Sequence, residues 1–454
     1  MTLARELVRR WRRPAALPEA VAASARLHLA DAIGVGLAAA ASPVGRPYRN
    51  YAGTVATGGP ATVFGLAAGA GAAEAALING GLIHSLEYDD THTASIAHGS
   101  AALAPAALAA AAAFGAGGAA LLAAYARGWE ALIRIGLAAP GSFQAAGFQV
   151  TSVGGAMVAA QIAADLAGLD EEGCLAAIGI ALSQASGVFE FLSNGATVKS
   201  LHPGWAAHAG IVAAGLARAG LTGPETSFEG RFGLFRAFAR DAAAADRFAA
   251  ELADFGTRWH LPEAAFKFHP CCHYLHPFIE AAGLIAERGI GPGAIAAITC
   301  RVPAGAAGII CEPWDAKQAP ASGHAARWSL PIAVAARLVE GRVDLATFEH
   351  DASPAVRALA LRIDWQPLAD ARFPERFEAE LDCRLADGSV HSVRVDDVYG
   401  NRTRPASEAA VRGKFRDNAR RSLSDDGVSA LEGAIDGIGG AADLGALTAA
   451  LRGR

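Results

Sequence analysis

The sequence predicts a mainly α-helical protein with an α+β part: a large all-helical domain built from both chain ends and a smaller α/β lid domain between them. Three observations lead there. Apolar residues recur at helical spacing from the N-terminus to about residue 255, period-2 runs appear only between roughly 265 and 398, and helical patterning returns after residue 406. We therefore expect residues 1–264 and 399–454 to form the helical domain and 265–398 the lid. A chain of 454 residues is long enough for two domains with a sizeable core.

The helical part is punctuated by short turns. Residues 18–40 place Val21, Ala25, Leu29 and Ile33 near one face, and 119–136 and 152–168 read similarly. Gly168 is a stop, Asp170 a cap for a helix over 171–187, and Gly220 closes a helix over 204–219. Residues 67–76, AAGAGAAEAA, have no preceding strand pattern of the kind a dinucleotide loop needs, and are expected to close one helix and open the next. Between Asp90 and Arg127 there is no charged residue, long enough to suggest a membrane span. That stretch is mostly alanine and carries His92, His98 and Pro105, so a buried helix and no membrane association is the expectation.

In the lid, 295–302 reads as a strand. The runs 377–385 and 390–395 alternate on either side of Asp387-Gly388, a hairpin signal. The helix that follows opens at Ser407-Glu408.

Composition narrows the function. Hydrophobic residues make up 52% and charged residues 18%, a core-rich balance, and the net charge of −5 offers no basic field for nucleic acid. An anionic substrate would have to be held by local cations. Six cysteines without paired spacing, and a start lacking a secretory pattern, lead us to expect a cytoplasmic protein. Of 39 basic residues only Lys199, Lys267, Lys317 and Lys414 are lysine, a set enriched for positions where a compact ammonium serves better than a guanidinium fork, against the alternative that four survivors are chance. Walker, Gly-x-Ser-x-Gly and HExxH patterns are absent.

Three segments concentrate chemistry. Residues 78–100 hold His84, Glu87, Asp89, Asp90, Thr91, His92 and His98, acids and imidazoles dense enough for general acid–base work, although Asp90-Thr91 is equally read as a helix cap. Residues 197–204 place Lys199 and His202 three apart before Pro203-Gly204, with Lys199 suited to hold a carboxylate. Residues 266–276 carry Lys267, His269, Cys271, Cys272, His273 and His276. The histidine spacing resembles a metal site, but Pro270 interrupts the first turn and Lys267 would repel a cation, so no metal is expected.

In this order the three segments resemble the MmgE/PrpD family. The resemblance rests on Asn79-Gly80, His84, Glu87-Tyr88-Asp89-Asp90-Thr91, His98-Gly99-Ser100, Gly147-Phe148-Gln149-Val150-Thr151, Lys199 to Gly204, Gly223-Pro224 with Glu229-Gly230, Lys267 to Cys272, and Pro320 through Ser329-Leu330-Pro331. It implies the MmgE/PrpD fold, no cofactor, a homodimer, and a small di- or tricarboxylate as substrate. It implies proton abstraction alpha to a carboxylate: a 2-methylcitrate dehydratase-like lyase first, an iminodisuccinate epimerase-like isomerase as the alternative. Behind these come a cis-aconitate decarboxylase-like enzyme and a non-catalytic carboxylate-binding protein. A Mg²⁺-dependent prenyl-diphosphate enzyme, suggested by Asp89-Asp90, lacks a second acidic motif.

The implied roles are His98 as general acid/base with His273 as a second candidate, and Lys199 and Lys267 as carboxylate anchors. Glu87, Thr91, Gln149, His202, Cys272 and Ser329 would contact substrate, and Glu87 would also orient His98 or set its charge. The chain departs from the family pattern at Gln149, where the family has histidine, at Gly99 within His-Pro-Ser, at Ile332 after Ser-Leu-Pro, and at Cys272, where the decarboxylases have histidine. Glutamine cannot exchange a proton, though it can still hydrogen-bond.

Overall fold

A computed structural model describes residues 1–13 and 16–452. The chain divides into two compact units. The first comprises Met1–Ser85, Asp89–Ala264 and the described residues from Ser407 on; the second comprises Leu86–Tyr88 and Ala265–Ala406. The second unit is thus longer than the sequence suggested, taking in residues 399–406 and the three-residue segment 86–88. The reason for the first extension is local: Arg404 grips Glu280 with two hydrogen bonds, 2.8 and 3.0 Å long.

The first unit is helical. Its centre is built from Ala72–Ser85, Gly99–Phe114, Val150–Leu166 and Leu201–Arg218, which pack against one another. Small residues set their spacing. A Cβ on Gly80 would lie 2.6 Å from Cα of Gly204, so the Ala72–Ser85 and Leu201–Arg218 helices cross backbone to backbone. That crossing sets His84, one turn past Gly80, and His202, two residues before Gly204, on neighbouring helices. The charge-free stretch forms the buried helix Gly99–Phe114, with Pro105 inside it. Glu19–Ala41 is long and apolar enough to cross a membrane, but it is mostly buried within the protein.

Asp170 caps the helix Glu171–Leu182 by accepting from the Gly173 amide at 2.8 Å, as its sequence position predicts. The helix stops five residues short of the expected end, and the chain turns back so that Gly187 accepts from the Gln149 amide at 3.0 Å. In the 67–76 stretch, Gly69–Ala70 pairs with Ala61–Thr62 as a two-residue antiparallel ladder before the Ala72–Ser85 helix begins, rather than closing a helix.

The second unit carries a four-stranded sheet in the order Ile363–Pro367, Ile295–Val302, Ala379–Leu385, Val390–Val395. The first pair is parallel and the other two antiparallel. The Asp387-Gly388 turn joins the last two strands, with Gly388 at φ 90°. The helices His276–Glu287 and Leu330–Glu340 pack together in the same unit, and Ile279, Phe278, Ile298, Cys300, Leu381 and Val334 are among its core side chains. All six cysteines are buried thiols.

Candidate active site

The first unit gathers four buried side chains into a chain of hydrogen bonds. His84 Nδ1 donates to the Asp89 carboxylate at 2.8 Å, which fixes the imidazole so that Nε2 carries its lone pair. The Gln149 amide nitrogen lies 3.4 Å from that Nε2, and the Gln149 oxygen accepts from His202 Nδ1 at 2.8 Å. This polarity of the Gln149 amide is set by its two neighbours. It leaves Nε2 of His202 with a lone pair as well. Burial, with the nearby His84 and the Lys199 ammonium adding repulsion, pushes the His202 pKa down to about 4. His202 is therefore neutral at physiological pH.

His98 stands beside this chain, its ring centroid 5.0 Å from that of His84. It is the N-cap residue of the Gly99–Phe114 helix, and its backbone amide donates to Thr151 Oγ1 at 2.9 Å. Its Nδ1 faces the Asp90 carbonyl at 3.2 Å, the Thr91 hydroxyl at 3.0 Å and the Asp89 carboxylate at 3.6 Å. A carbonyl and a carboxylate can only accept, so the neutral ring carries its proton on Nδ1 and its lone pair on Nε2. With 13% of its side chain exposed, His98 is more open than His84 or Asp89, which are fully buried.

Below this layer Asp90 is structural. Its carboxylate accepts from His28 Nδ1 at 2.7 Å, from the Ser100 amide at 3.2 Å and from the Ser100 hydroxyl. The capping reading of Asp90 describes its bonds, while the acid beside the imidazoles is Asp89. Glu87 lies with its carboxylate 3.8 Å from Lys267 Nζ, both in the second unit. Its backbone sits at φ 52°, a conformation that costs a non-glycine residue roughly 1–2 kcal/mol. Lys199 lies in the short 3-10 helix Thr197–Ser200 that leads into the helix of His202.

In the second unit Lys267 is fully buried, and its ammonium also donates to the Glu87 carbonyl at 3.3 Å. Arg327 donates to the carbonyls of Leu86 and Pro270, both at 2.5 Å, tying segment 86–88 to the Lys267–Cys272 stretch. Cys272 and His273 are buried. His273 packs edge-on to His276 and Phe377, with centroids 4.8 and 5.1 Å apart. Ser329 is fully buried, and its hydroxyl is engaged in structure, donating to the Lys317 carbonyl at 2.5 Å and accepting from the Ile332 amide as the cap of Leu330–Glu340.

Two groups of side chains have potential metal-ligating atoms within 4.8 Å of one another: His84, Asp89 and His98, and His92, His260 and Glu263. The histidines of the 269–276 segment do not form such a group among the described residues. They do not share a helix, because His269 precedes the 3-10 turn that holds His273, and His276 begins the following helix. In the second group, His92 Nδ1 accepts from the Ser95 amide at 3.3 Å, so neutral His92 carries its proton on Nε2, the wrong tautomer for ligation through that atom.

The sequence comparisons decide the family. The MmgE/PrpD N-terminal domain matches residues 12–246 and the MmgE/PrpD C-terminal domain matches residues 269–434. The chain belongs to the MmgE/PrpD family. It is an enzyme, a lyase or isomerase of that family. Human cis-aconitate decarboxylase is 31% identical over 398 residues, covering 84% of this chain and 79% of the relative. The mouse cis-aconitate decarboxylase is 30% identical, covering 84% and 78%. A cis-aconitate decarboxylase-like protein of Aspergillus oryzae, oryM, is 26% identical, covering 97% and 95%. The MmgE/PrpD segments quoted from the sequence contain His84, Asp89, Gln149 and His202, the members of the buried chain. His84 and Asp89 were not singled out as site residues by sequence reasoning. Their five-residue separation, one at the end of a helix and the other past its turn, was the available signal.

Proposed function

We propose that this protein is a hydro-lyase acting on a small hydroxylated di- or tricarboxylate, with His98 as the base that removes a proton alpha to a carboxylate. The observation that carries the reading is the tautomer of His98. Acceptors at Nδ1 leave the lone pair of the neutral ring on Nε2, in the most open side chain of the cluster. The Asp89 carboxylate beside it stabilises the imidazolium formed on proton transfer. The C–H electron pair becomes the new double bond, hydroxide leaves the adjacent carbon, and the imidazolium returns its proton to form water. Lys199 is the proposed carboxylate anchor in the first unit. Its point charge favours the enediolate-like charge that builds up when the proton is removed.

A second reading, cis-aconitate decarboxylation, is favoured by the names of the relatives. There carbon dioxide leaves first and an imidazolium protonates the carbanion. Gln149 in the position of a family histidine and Cys272 in that of a decarboxylase histidine speak for the first reading, since glutamine cannot supply a proton and a buried thiol is a much weaker acid than an imidazolium.

The deciding experiment is turnover of 2-methylcitrate, citrate, cis-aconitate and iminodisuccinate, with and without EDTA. Alkene and water from a hydroxy acid, insensitive to EDTA, is the expected result. Carbon dioxide release from cis-aconitate alone would establish the second reading. Racemisation of iminodisuccinate would make the enzyme an epimerase, and binding without turnover of any of the four would overturn catalysis by His98.

A further inference from the structure

The second unit contains a cavity of about 510 Å³, lined by Arg337, His269, His276, Glu287, Phe268 and Tyr399 among others. We propose that this cavity is a binding site for a small organic acid that also carries an O–H or N–H donor, a hydroxy acid or an amino acid. The proposal is independent of the chemistry at His98.

Arg337 supplies the anion end. No carboxylate lies within 4 Å of its guanidinium among the described residues, whereas Arg404 and Arg342 on the same wall are paired with Glu280 and Asp344. Among the described residues its guanidinium donates one hydrogen bond, to the Gly341 carbonyl, which holds the fork in place and leaves donors over. Position 283 must be glycine for this. A Cβ there would meet Arg337 Nη2 at 2.8 Å and Nε at 3.0 Å, so the guanidinium lies directly on the backbone of the His276–Glu287 helix.

His276 asks for the donor. It is 3% exposed, its ring hydrogen-bonds the Cys271 backbone, and Nε2 is buried with no hydrogen-bond partner. A ring that donates to a carbonyl through Nδ1 presents a lone pair at Nε2, and burial, with the Lys267 ammonium adding repulsion, keeps the ring neutral. His269 repeats the pattern. Its Nδ1 donates to the Val343 carbonyl at 2.9 Å, and burial with the Arg337 charge lowers its pKa. A buried acceptor without a partner calls for a ligand or water donor. The cavity therefore pairs an unneutralised guanidinium with imidazole acceptors, in a volume within the usual range of roughly 300–1,000 Å³ for small-molecule sites. Glu287, exposed on the same helix and without a cation within 4 Å among the described residues, gives an ammonium group a partner that a hydroxyl does not need.

The test is titration of the full-length protein, with histidine side chains labelled with ¹⁵N, by glycolate, glycine and acetate. The expected result is a saturable shift of the His276 Nε2 resonance by glycolate or glycine, with acetate, which lacks the donor, several-fold weaker. Arg337→Gln should weaken binding about tenfold or more. Gly283→Ala, which displaces the guanidinium without removing it, should do the same, and thermal melts check that both variants fold. Glu287→Gln should weaken glycine alone, which separates the amino acid from the hydroxy acid. The proposal is overturned if His276 Nε2 does not respond to any of the three acids, if it responds equally to acetate, or if neither substitution changes the affinity. A response confined to His84, His98 and His202 overturns it too, because the acids would then be binding at the other cluster.

Discussion

Nδ1 of His202 donates to the side-chain oxygen of Gln149 at 2.8 Å, and the direction of this bond follows from the Asp89 carboxylate at the other end of the buried chain, which can only accept from His84. Reversing the amide would set its NH₂ against a donor and its oxygen against a lone pair. Gln149 thus does by dipole orientation what a histidine here could do only with a proton in one of two places.

Gln149→Leu should therefore cost stability even though the two side chains are close in size. It leaves the buried His202 Nδ1–H without its acceptor, a loss of about 1–3 kcal/mol where water does not reach it. Gln149→Glu should act differently, because a carboxylate facing His202 favours the imidazolium. In the native protein His202 titrates at about 4. The unfolded chain, with an ordinary imidazole near 6.5, binds a proton that the folded state does not between these values. Its contribution to stability is present above about pH 6.5 and is lost as pH falls towards 4. In Gln149→Glu the His202 pKa should rise and that acid loss shrink. Histidine resonances followed against pH, with urea melts at pH 7 and 5, check both. An unchanged His202 titration would contradict the hydrogen-bond chain.

The crossing of Gly80 and Gly204 places the chain's two ends. Gly80→Ala would drive a methyl group to 2.6 Å from Cα of Gly204 and 2.8 Å from the Ala101 carbonyl, none of which can rotate away. The helices must separate, at a cost of about 1–3 kcal/mol or more. The shift should also reach His84, so turnover should fall by more than the folded fraction does. Circular dichroism melts and initial rates on the same preparation distinguish the two effects.

Much of this scaffold was legible because local chemistry sufficed to write it. Asp170 caps the predicted helix, and Asp387-Gly388 turns the predicted hairpin. The strand Ile363–Pro367 was not legible: only Ile363 in it is fully buried, so it shows no alternation, and its parallel partner lies more than sixty residues earlier. At the site, the family segments gave His98, Gln149 and His202, but nothing local connects His28 to Asp90 across 62 residues. The pairing of Glu87 with Lys267 across 180 residues was not legible for a similar reason. Neighbouring acids in one short run face different units, Glu87 towards Lys267 and Asp89 towards His84, and a backbone turn at positive φ between helix and loop has no clear sequence mark when glycine does not occupy it.

The Lys267–Glu87 pair separates structural from ligand roles. Lys267→Met leaves the Glu87 carboxylate buried beside a methyl group and should destabilise the protein by about 3–5 kcal/mol. Lys267→Met with Glu87→Gln removes both charges and should recover most of that loss. If the ammonium also holds a substrate carboxylate, the double variant will be stable and still inactive. If it is structural only, stability and turnover will return together. Chemical denaturation and rates for the four members of the cycle give the answer.

Lys414 and Asp31 form the other buried lysine pair, with Nζ 2.8 and 3.0 Å from the two carboxylate oxygens. Burial pushes the Asp31 pKa up to about 6 despite the pull of that ammonium. Between about 6 and the ordinary 3.8 the folded state holds a proton that the unfolded chain has lost, so Asp31 favours folding more at low pH, opposite in sign to His202. The two windows overlap. The His202 contribution is accordingly read as a difference between native protein and Gln149→Glu. Lys414→Met removes the interaction that keeps the Asp31 pKa from rising further. The variant should keep Asp31 protonated past neutrality and lose more stability at pH 8 than at pH 5, where the carboxyl is already neutral. Adding Asp31→Asn should flatten that difference, since an amide has no proton to lose in this range. Urea melts of the two variants at both pH values test it, and an equal loss at pH 5 and pH 8 would show that Asp31 does not titrate as its burial requires.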